Sequence, residues 1–227
     1  MAKTVHKDAG HRPRLRQRFL EGGADALPDY ELLELYLFQC IPQKDTKPLA
    51  KHLIATFGSF AEVMTAPIEQ LTQVKGVGAV TAANIKVLHA AALRLSRENV
   101  MSRPVLSSWT ALLDYVRGAM QYEKNEQFRV LFLDKKNRLI DDVILGKGTV
   151  DRAPVYPREI IKKALDIGST AIILCHNHPS GDPTPSQSDI DMTNHVISAA
   201  KPIGIAVHDH IIVGRNNTVS FKSLGLM

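Results

Sequence analysis

The densest group of polar side chains in the 227-residue sequence is CHNHPSGDPTPSQSD, residues 175–189. His176 and His178 are two residues apart at the end of an apolar segment, and in extended backbone such residues point to the same side. Asp189 follows Ser186 by three residues in the first turn of a predicted helix, so the two share a helix face. Two histidines and a carboxylate with an open position are the ligand set of a catalytic zinc site. Zinc there would lower the pKa of bound water to roughly 7 and polarise a carbonyl group, which is hydrolase chemistry.

The same residue types also have a purely structural interpretation. Ser186 and Asp189 have nearly the spacing of a helix capping box, and the two histidines would then be polar residues at a strand end. Cys175 should face away from His176 and toward the core, as a small buried apolar residue rather than a ligand.

A second pair of histidines, His208 and His210, flanks Asp209 on a predicted strand. They would line the zinc site behind its ligands if that strand lies beside it. Polar residues near a sheet edge explain them equally well.

The second half of the chain alternates between helix and strand. Two β-favouring segments joined by KKN predict a hairpin, and proline and glycine at its two ends indicate a helix over residues 157–168. The pattern predicts a mixed α/β (α+β) domain over residues 105–227, with helices packed on a sheet. Its predicted helices are 108–120, 157–168 and 186–200, and its predicted strands are 127–134, 138–148, 169–178, 204–214 and 218–221.

The first half is helical by its apolar spacing. Several short helices with tight connections indicate a small helical domain over residues 1–99. Proline and serines within residues 100–108 end the helical pattern and mark the domain boundary. The predicted helices are 26–40, 45–58, 59–66, 67–74 and a long one that begins at residue 78.

The formal net charge is +5, and the basic excess lies at the N-terminus. Such an arm suits a phosphate backbone or an acidic partner, and a solvated tail is the alternative. Within the first twenty residues, only Asp8 opposes Lys3, Lys7, Arg12, Arg14, Arg16 and Arg18.

Composition excludes several classes of protein. Hydrophobic residues make up 44% of the chain, enough for a globular core. Cys40 and Cys175 cannot build a disulfide framework, which favours a reducing compartment. No apolar segment reaches the roughly 18 residues of a membrane span, and the N-terminus lacks the apolar stretch of a secretory signal. We therefore expect a cytoplasmic protein without membrane contact.

The arrangement His-x-His, seven residues, Ser, two residues, Asp resembles the JAMM motif of the MPN, or JAB, metalloprotease family. Residues 147–165, 171–190 and 208–214 resemble specifically the bacterial RadC (UPF0758) family. The resemblance implies a helix-hairpin-helix-like domain followed by an MPN domain, and a link to DNA repair. It implies one zinc ion per chain, held by His176, His178 and Asp189, for hydrolysis of an amide bond in a protein or peptide. Ser186 would donate a hydrogen bond to the tetrahedral intermediate.

The family's general base is a glutamate, which we place on the second hairpin strand, about five residues before the glycine of a Gly-Thr pair. Counting back from Gly148 reaches Val143, so the sequence departs from the family pattern there. Asp142 is the nearest carboxylate but should point to the opposite face, and Asp141 lies about 7 Å along the strand from Val143. We therefore expect little or no hydrolytic activity, unless a bulge turns Asp142 toward the metal as the base.

Residues 74–85, VKGVGAVTAANI, resemble the hairpin of a helix-hairpin-helix module. Gly76 and Gly78 allow a tight turn whose N–H groups face outward at a helix N-terminus, and Lys75 adds charge. This arrangement suits weak, sequence-independent contact with a DNA phosphate, and a simple turn between helices is the alternative. Two hypotheses result: a zinc hydrolase with a DNA-binding domain, or a non-catalytic DNA-associated module whose MPN domain is a zinc-bearing or empty scaffold.

Overall fold

The computed structural model describes residues 10–148 and 155–227. The chain divides into two compact units, Met1–Ala91 and Ala92–Met227. Lys3, Lys7 and Asp8 of the predicted arm lie outside the described residues. Within the described ranges, no helix is both long and apolar enough to cross a membrane.

The first unit is built from helices, as the apolar spacing predicted. Its core consists of buried aliphatic side chains, among them Leu33, Leu37, Leu53 and Ile85. The helices are α1 (His11–Gly22), α2 (Asp29–Cys40), α3 (Lys47–Phe57), α4 (Phe60–Thr65), α5 (Ile68–Gln73) and α6 (Ala79–Met101), which continues into the second unit.

Residues 11–22 of the predicted basic arm form helix α1, so the solvated-tail alternative is wrong there, whereas contact with a phosphate backbone or acidic partner stays a prediction. Leu15 is buried, and Phe19, one turn later, packs into the same cluster beside Phe38 of α2. Apolar residues four apart share a helix face, and burying that face stabilises the helix.

Two arginines of α1 are engaged within the first unit. The Arg12 guanidinium donates to the carbonyl oxygen of Ile41 at 2.7 Å and lies 4.5 Å from the centre of the Phe38 ring. Arg18 pairs with the Glu31 carboxylate at 2.8 Å. These contacts therefore hold both arginines against the helical unit, although half of the Arg18 side chain stays exposed.

The second unit is a five-stranded mixed sheet with helices on both faces, which confirms the predicted fold class. The strand order is β2-β1-β3-β4-β5; β3 and β4 are parallel, and the other neighbours are antiparallel. The strands are β1 (Gln127–Leu133), β2 (Leu139–Lys147), β3 (Ala171–Asn177), β4 (Ala206–Val213) and β5 (Thr218–Ser220), and the helices are α7 (Trp109–Met120), α8 (Pro157–Ile167) and α9 (Gln187–Ala200).

The two faces of the sheet have separate cores. Leu131, Ile173 and Cys175 pack on the α7 side. Phe128 and Leu174 belong to the core that includes α8 and α9. Because side chains alternate along a strand, Cys175 points toward α7, fully buried as expected, and the next residue of β3 points toward the other core.

Candidate metal centre

The structure brings His176, His178 and Asp189 together. His176 ends the apolar part of β3, His178 follows the strand, and Asp189 lies in the first turn of α9. The Nε2 atoms of the two histidines are 2.9 Å apart. The Asp189 carboxylate lies 3.3 Å from Nε2 of His176 and 3.5 Å from Nε2 of His178. One ligand atom from each of the three residues therefore lies within 4.8 Å of the other two.

These separations fit a zinc ion. Ligand atoms at about 2.05 Å from a tetrahedral zinc lie roughly 3.3 Å from one another. The two nitrogen–carboxylate distances lie close to that value and the Nε2–Nε2 distance is shorter, so small side-chain adjustments would let these residues hold the ion.

A chain of hydrogen bonds fixes which nitrogen of His176 carries the proton. The Thr193 hydroxyl donates to the Asp189 carbonyl oxygen at 2.6 Å, so it can only accept from Nδ1 of His210, also at 2.6 Å. Nε2 of His210 then accepts from Nδ1 of His176 at 2.8 Å. His176 is thus left with an electron pair on Nε2, aimed at Asp189 and His178, which is the chemistry of a cation site.

The second histidine is oriented from the loop that follows β3. Nδ1 of His178 donates to the carbonyl oxygen of Asp182 at 2.7 Å, which turns Nε2 toward the cluster. Gly181 allows this tight loop because its φ is +92°. A side chain at Gly214 would lie 2.5 Å from the Gly181 carbonyl oxygen, so the neighbouring turn must approach closely there.

The pKa values of the two histidines are shifted in opposite directions. Burial lowers the pKa of His176 to about 4, so the ring is neutral at pH 7. A hydrogen bond with Asp189 raises the pKa of His178, and the charge of Glu126 acts in the same direction. Burial alone would raise the pKa of Asp189, but hydrogen bonds with His178 and Ser186 outweigh it and lower that pKa.

Ser186 and Asp189 form the capping box that their spacing suggested. The Ser186 oxygen accepts from the Asp189 N–H at 3.2 Å, and the Asp189 carboxylate accepts from the Ser186 N–H at 2.7 Å. The Ser186 hydroxyl also donates to that carboxylate at 2.7 Å. The structural and the metal-binding interpretations therefore coexist, because capping holds Asp189 toward the histidines.

The second pair of histidines, His208 and His210, lie in different surroundings. His210 is fully buried behind His176, as expected of a residue that supports a metal ligand. His208 instead contacts the β1–β2 hairpin, where its Nε2 lies 2.6 Å from Oδ1 of Asn137.

Asp142 lies on the wrong face of the sheet for the base, so that assignment is corrected. Its carboxylate is 2.5 Å from the Arg129 guanidinium and accepts from the Tyr115 hydroxyl of α7. Burial and the Asp142 carboxylate raise the pKa of Tyr115. The β1–β2 ladder is irregular at two places, but neither turns Asp142 toward the cluster.

The position of Val143 is not that of the base either. Val143 pairs with Val130 of β1, whereas His176 pairs with Phe128, two residues or about 7 Å along that strand. Val143 packs in the core on the α8 and α9 side. The strand register therefore separates Val143 from the histidine pair, and the expectation of low activity stays a prediction.

Glu126 is the carboxylate that the sequence reasoning missed. It immediately precedes β1, two residues before the Phe128–His176 pair, and is half-buried. Its charge acts on His178. Only the pairing of the start of β1 with the end of β3 reveals this proximity, although an acidic residue at a strand start was a visible signal.

The proposed DNA contact lies in the first unit, between α5 and α6. Val74 and Val77 are buried and anchor a turn in which Lys75, Gly76 and Gly78 are exposed. Gly76 has a φ of +101°, which requires glycine, and the Ala82 N–H bonds to the Gly78 carbonyl oxygen at the start of α6.

Comparison with known families agrees with this geometry. The model of the RadC-like JAB domain matches residues 106–226, and the UPF0758 N-terminal model matches residues 7–83. The chain belongs to the RadC-like JAB family. The RadC-like match contains the histidine, aspartate and Glu126 positions described above. The resemblance predicted from the sequence is therefore confirmed.

Two relatives cover nearly the whole chain. A UPF0758 protein of Ruegeria pomeroyi is 56% identical over 217 residues, which is 96% of this chain and 97% of the relative. A UPF0758 protein of Rhodobacter capsulatus is 55% identical over 213 residues, 94% of this chain and 100% of the relative. Both helical and RadC-like parts are thus shared.

Proposed function

We propose that this chain is a zinc-dependent amide hydrolase that acts on proteins or peptides. The observation that supports this proposal is the convergence of His176, His178 and Asp189 at the end of β3, with the charge of Glu126 beside them. Zinc held there would supply an acidic water and a Lewis acid for the carbonyl group of the substrate.

The chain's own residues have separate roles in this proposal. Glu126 is the general base: it accepts a proton at its carboxylate and passes it to the leaving amine. Thr193 and His210 hold the tautomer of His176 that leaves Nε2 free. Asp142 has no part in the reaction and stabilises the α7 side of the sheet.

Ser186 serves in two ways. In the described conformation its hydroxyl donates to Asp189. Rotation about a single side-chain torsion would turn that hydroxyl toward an oxyanion, where a donor is worth roughly 10²–10³ in rate. The Ser186 N–H keeps the Asp189 carboxylate in place while the hydroxyl turns.

A peptide-hydrolysis assay tests the proposal. The full chain, incubated with zinc and a fluorescence-quenched peptide mixture, should hydrolyse amide bonds; a chelator should stop the reaction and added zinc should restore it. His178→Ala should not be restored by zinc. An absence of zinc-dependent cleavage in the wild type would contradict the proposal.

We further propose that the first unit contacts DNA phosphates through Lys75, Gly76 and Gly78. The exposed backbone of this turn next to the start of the long helix α6 supports it, because such N–H groups favour an anion. This proposed DNA contact does not include Arg12 and Arg18, since both are engaged within the unit.

For this DNA contact, we expect weak, sequence-independent binding that Lys75→Glu reduces uniformly. Removal of one phosphate contact should lower the salt slope of the binding constant by about 1. Fluorescence anisotropy with duplex DNA of two unrelated sequences measures both quantities. Lys201→Glu, the same charge change on an exposed residue of the second unit, should bind more tightly than Lys75→Glu. Undetectable binding by the wild type at low salt would eliminate the idea.

A further inference from the structure

Asn177, the residue between the two histidines, makes an unusual set of contacts. Only 1% of its surface is exposed. Its Oδ1 accepts from the backbone N–H of Gln127 at 2.8 Å. Its Nδ2 donates to the carbonyl oxygens of Glu123 at 3.3 Å and Asn125 at 3.2 Å. One side chain therefore holds three backbone groups of the segment 123–127.

These contacts lie where the hydrogen-bond ladder between β1 and β3 ends. The β1–β3 pairing stops at Phe128 and His176, and beyond it the Asn177 side chain takes the place of a backbone partner. Glu126 lies between two of the held residues, Asn125 and Gln127. Its own carbonyl oxygen accepts from the Gly148 N–H at 2.8 Å. The backbone around Glu126 is therefore fixed from β3 and from the end of β2.

Resting on the hydrolase proposed above, we infer that Asn177 is a positioning residue for Glu126. Strand alternation sends His176 toward the metal site and Asn177 toward the segment 123–127. Asn177, which provides no ligand atom, thus holds the general base beside His176 and His178, which do. The backbone around the base and the two histidine ligands is thus held by one tripeptide, residues 176–178.

Asparagine is suited to this role by its donor and acceptor content. A carboxamide offers one acceptor and two donors on a short stem, as the three contacts require. Aspartate has the same shape and keeps the acceptor, but it loses both donors and turns a carboxylate toward two carbonyl oxygens. Such a buried polar group without partners is costly.

Asn177→Asp is the test, with Asn194→Asp as control because Asn194 is exposed on α9. In the full zinc-loaded chain, Asn177→Asp should lower kcat for the quenched peptide mixture about 10²-fold, as expected for a misplaced catalytic group, and leave the metal content unchanged. Asn194→Asp should behave as the wild type. Asn177→Ala should act in the same direction as Asn177→Asp.

A double-mutant cycle shows whether Asn177 acts through Glu126. If it does, Asn177→Asp should have little further effect on kcat in a Glu126→Gln background. Losses of kcat that multiply would overturn the inference, because a general structural fault is independent of Glu126.

Hydrogen exchange gives a readout that needs no activity. The Gly148 amide, bonded to the Glu126 carbonyl oxygen, should exchange about tenfold faster in Asn177→Asp and unchanged in Asn194→Asp. Unchanged exchange together with unchanged kcat would overturn the inference. If the wild type hydrolyses nothing, the proposed function fails, and the exchange rate alone decides whether Asn177 holds Glu126 in place.

Discussion

Glu126→Gln should reduce amide hydrolysis by about 10²–10⁴ while the protein keeps its metal. Glutamine has the shape of glutamate but cannot accept a proton at neutral pH, and loss of a general base costs a factor of that order. The three ligand side chains do not include Glu126, so metal binding should survive. Steady-state kcat on the quenched peptide mixture, with metal analysis of the same sample, measures both effects.

Val143→Glu is the matched comparison for the base. If Val143 stood at the position of the base, a glutamate there would raise turnover. The strand register places it about 7 Å along from the histidine pair, so we expect no gain, and a loss of stability from a carboxylate in an apolar core. Increased turnover of Val143→Glu with full activity of Glu126→Gln would show that the base assignment is wrong.

Asp142→Asn should lower the free energy of unfolding of the second unit by about 3 kcal/mol. The Asp142 side chain is 1% exposed and that of its partner Arg129 is 13% exposed. Removal of one charge leaves a largely buried guanidinium uncompensated, which costs about 3–5 kcal/mol. Urea unfolding followed by the fluorescence of Trp109, the single tryptophan, in α7, measures the change.

The adjacent aspartate provides the control. Asp141 pairs with Arg97 at 3.2 Å, and both side chains are about two-fifths exposed. An exposed pair contributes at most about 1 kcal/mol, so Asp141→Asn should unfold close to the wild type. Equal effects of the two substitutions on the free energy of unfolding would contradict the buried-pair interpretation. A loss of kcat in Asp142→Asn that is still folded would show that Asp142 takes part in the reaction.

The convergence of the three candidate metal ligands could be predicted from the sequence because their geometry is local. His176 and His178 share a strand face by period two, and Ser186 and Asp189 share a helix turn. The folding of the loop back onto the strand end was the only non-local step. The short stiff loop between them, with Gly181 at its turn, restricts that step to few conformations.

The proposed base, Glu126, could not be predicted in the same way. Its position depends on which strand lies beside β3 and in which register, and a count of residues along the hairpin reached the edge strand β2 instead. The neighbour of β3 is β1, and Glu126 meets the site at the start of β1. Register between distant segments is set by packing and pairing of the whole sheet.

Helix α1 was missed for a different reason. Its arginines dominate the local composition, and charge alone predicts a basic arm there. The apolar pair Leu15 and Phe19, four residues apart, was the signal of a helix with one buried face. Acceptors for the arginines come from α2 and the residues after it, which sequence alone does not place nearby.

Metal stoichiometry tests the central claim most directly. The full chain, saturated with zinc and freed of excess ion, should hold about one zinc, and His176→Ala and His178→Ala should each hold close to none. His195→Ala, which removes an exposed histidine from α9, and Glu126→Gln should both keep the full amount. Zinc retained by the His176 and His178 variants, or absent from the wild type, would contradict the assignment of His176, His178 and Asp189 as a metal centre.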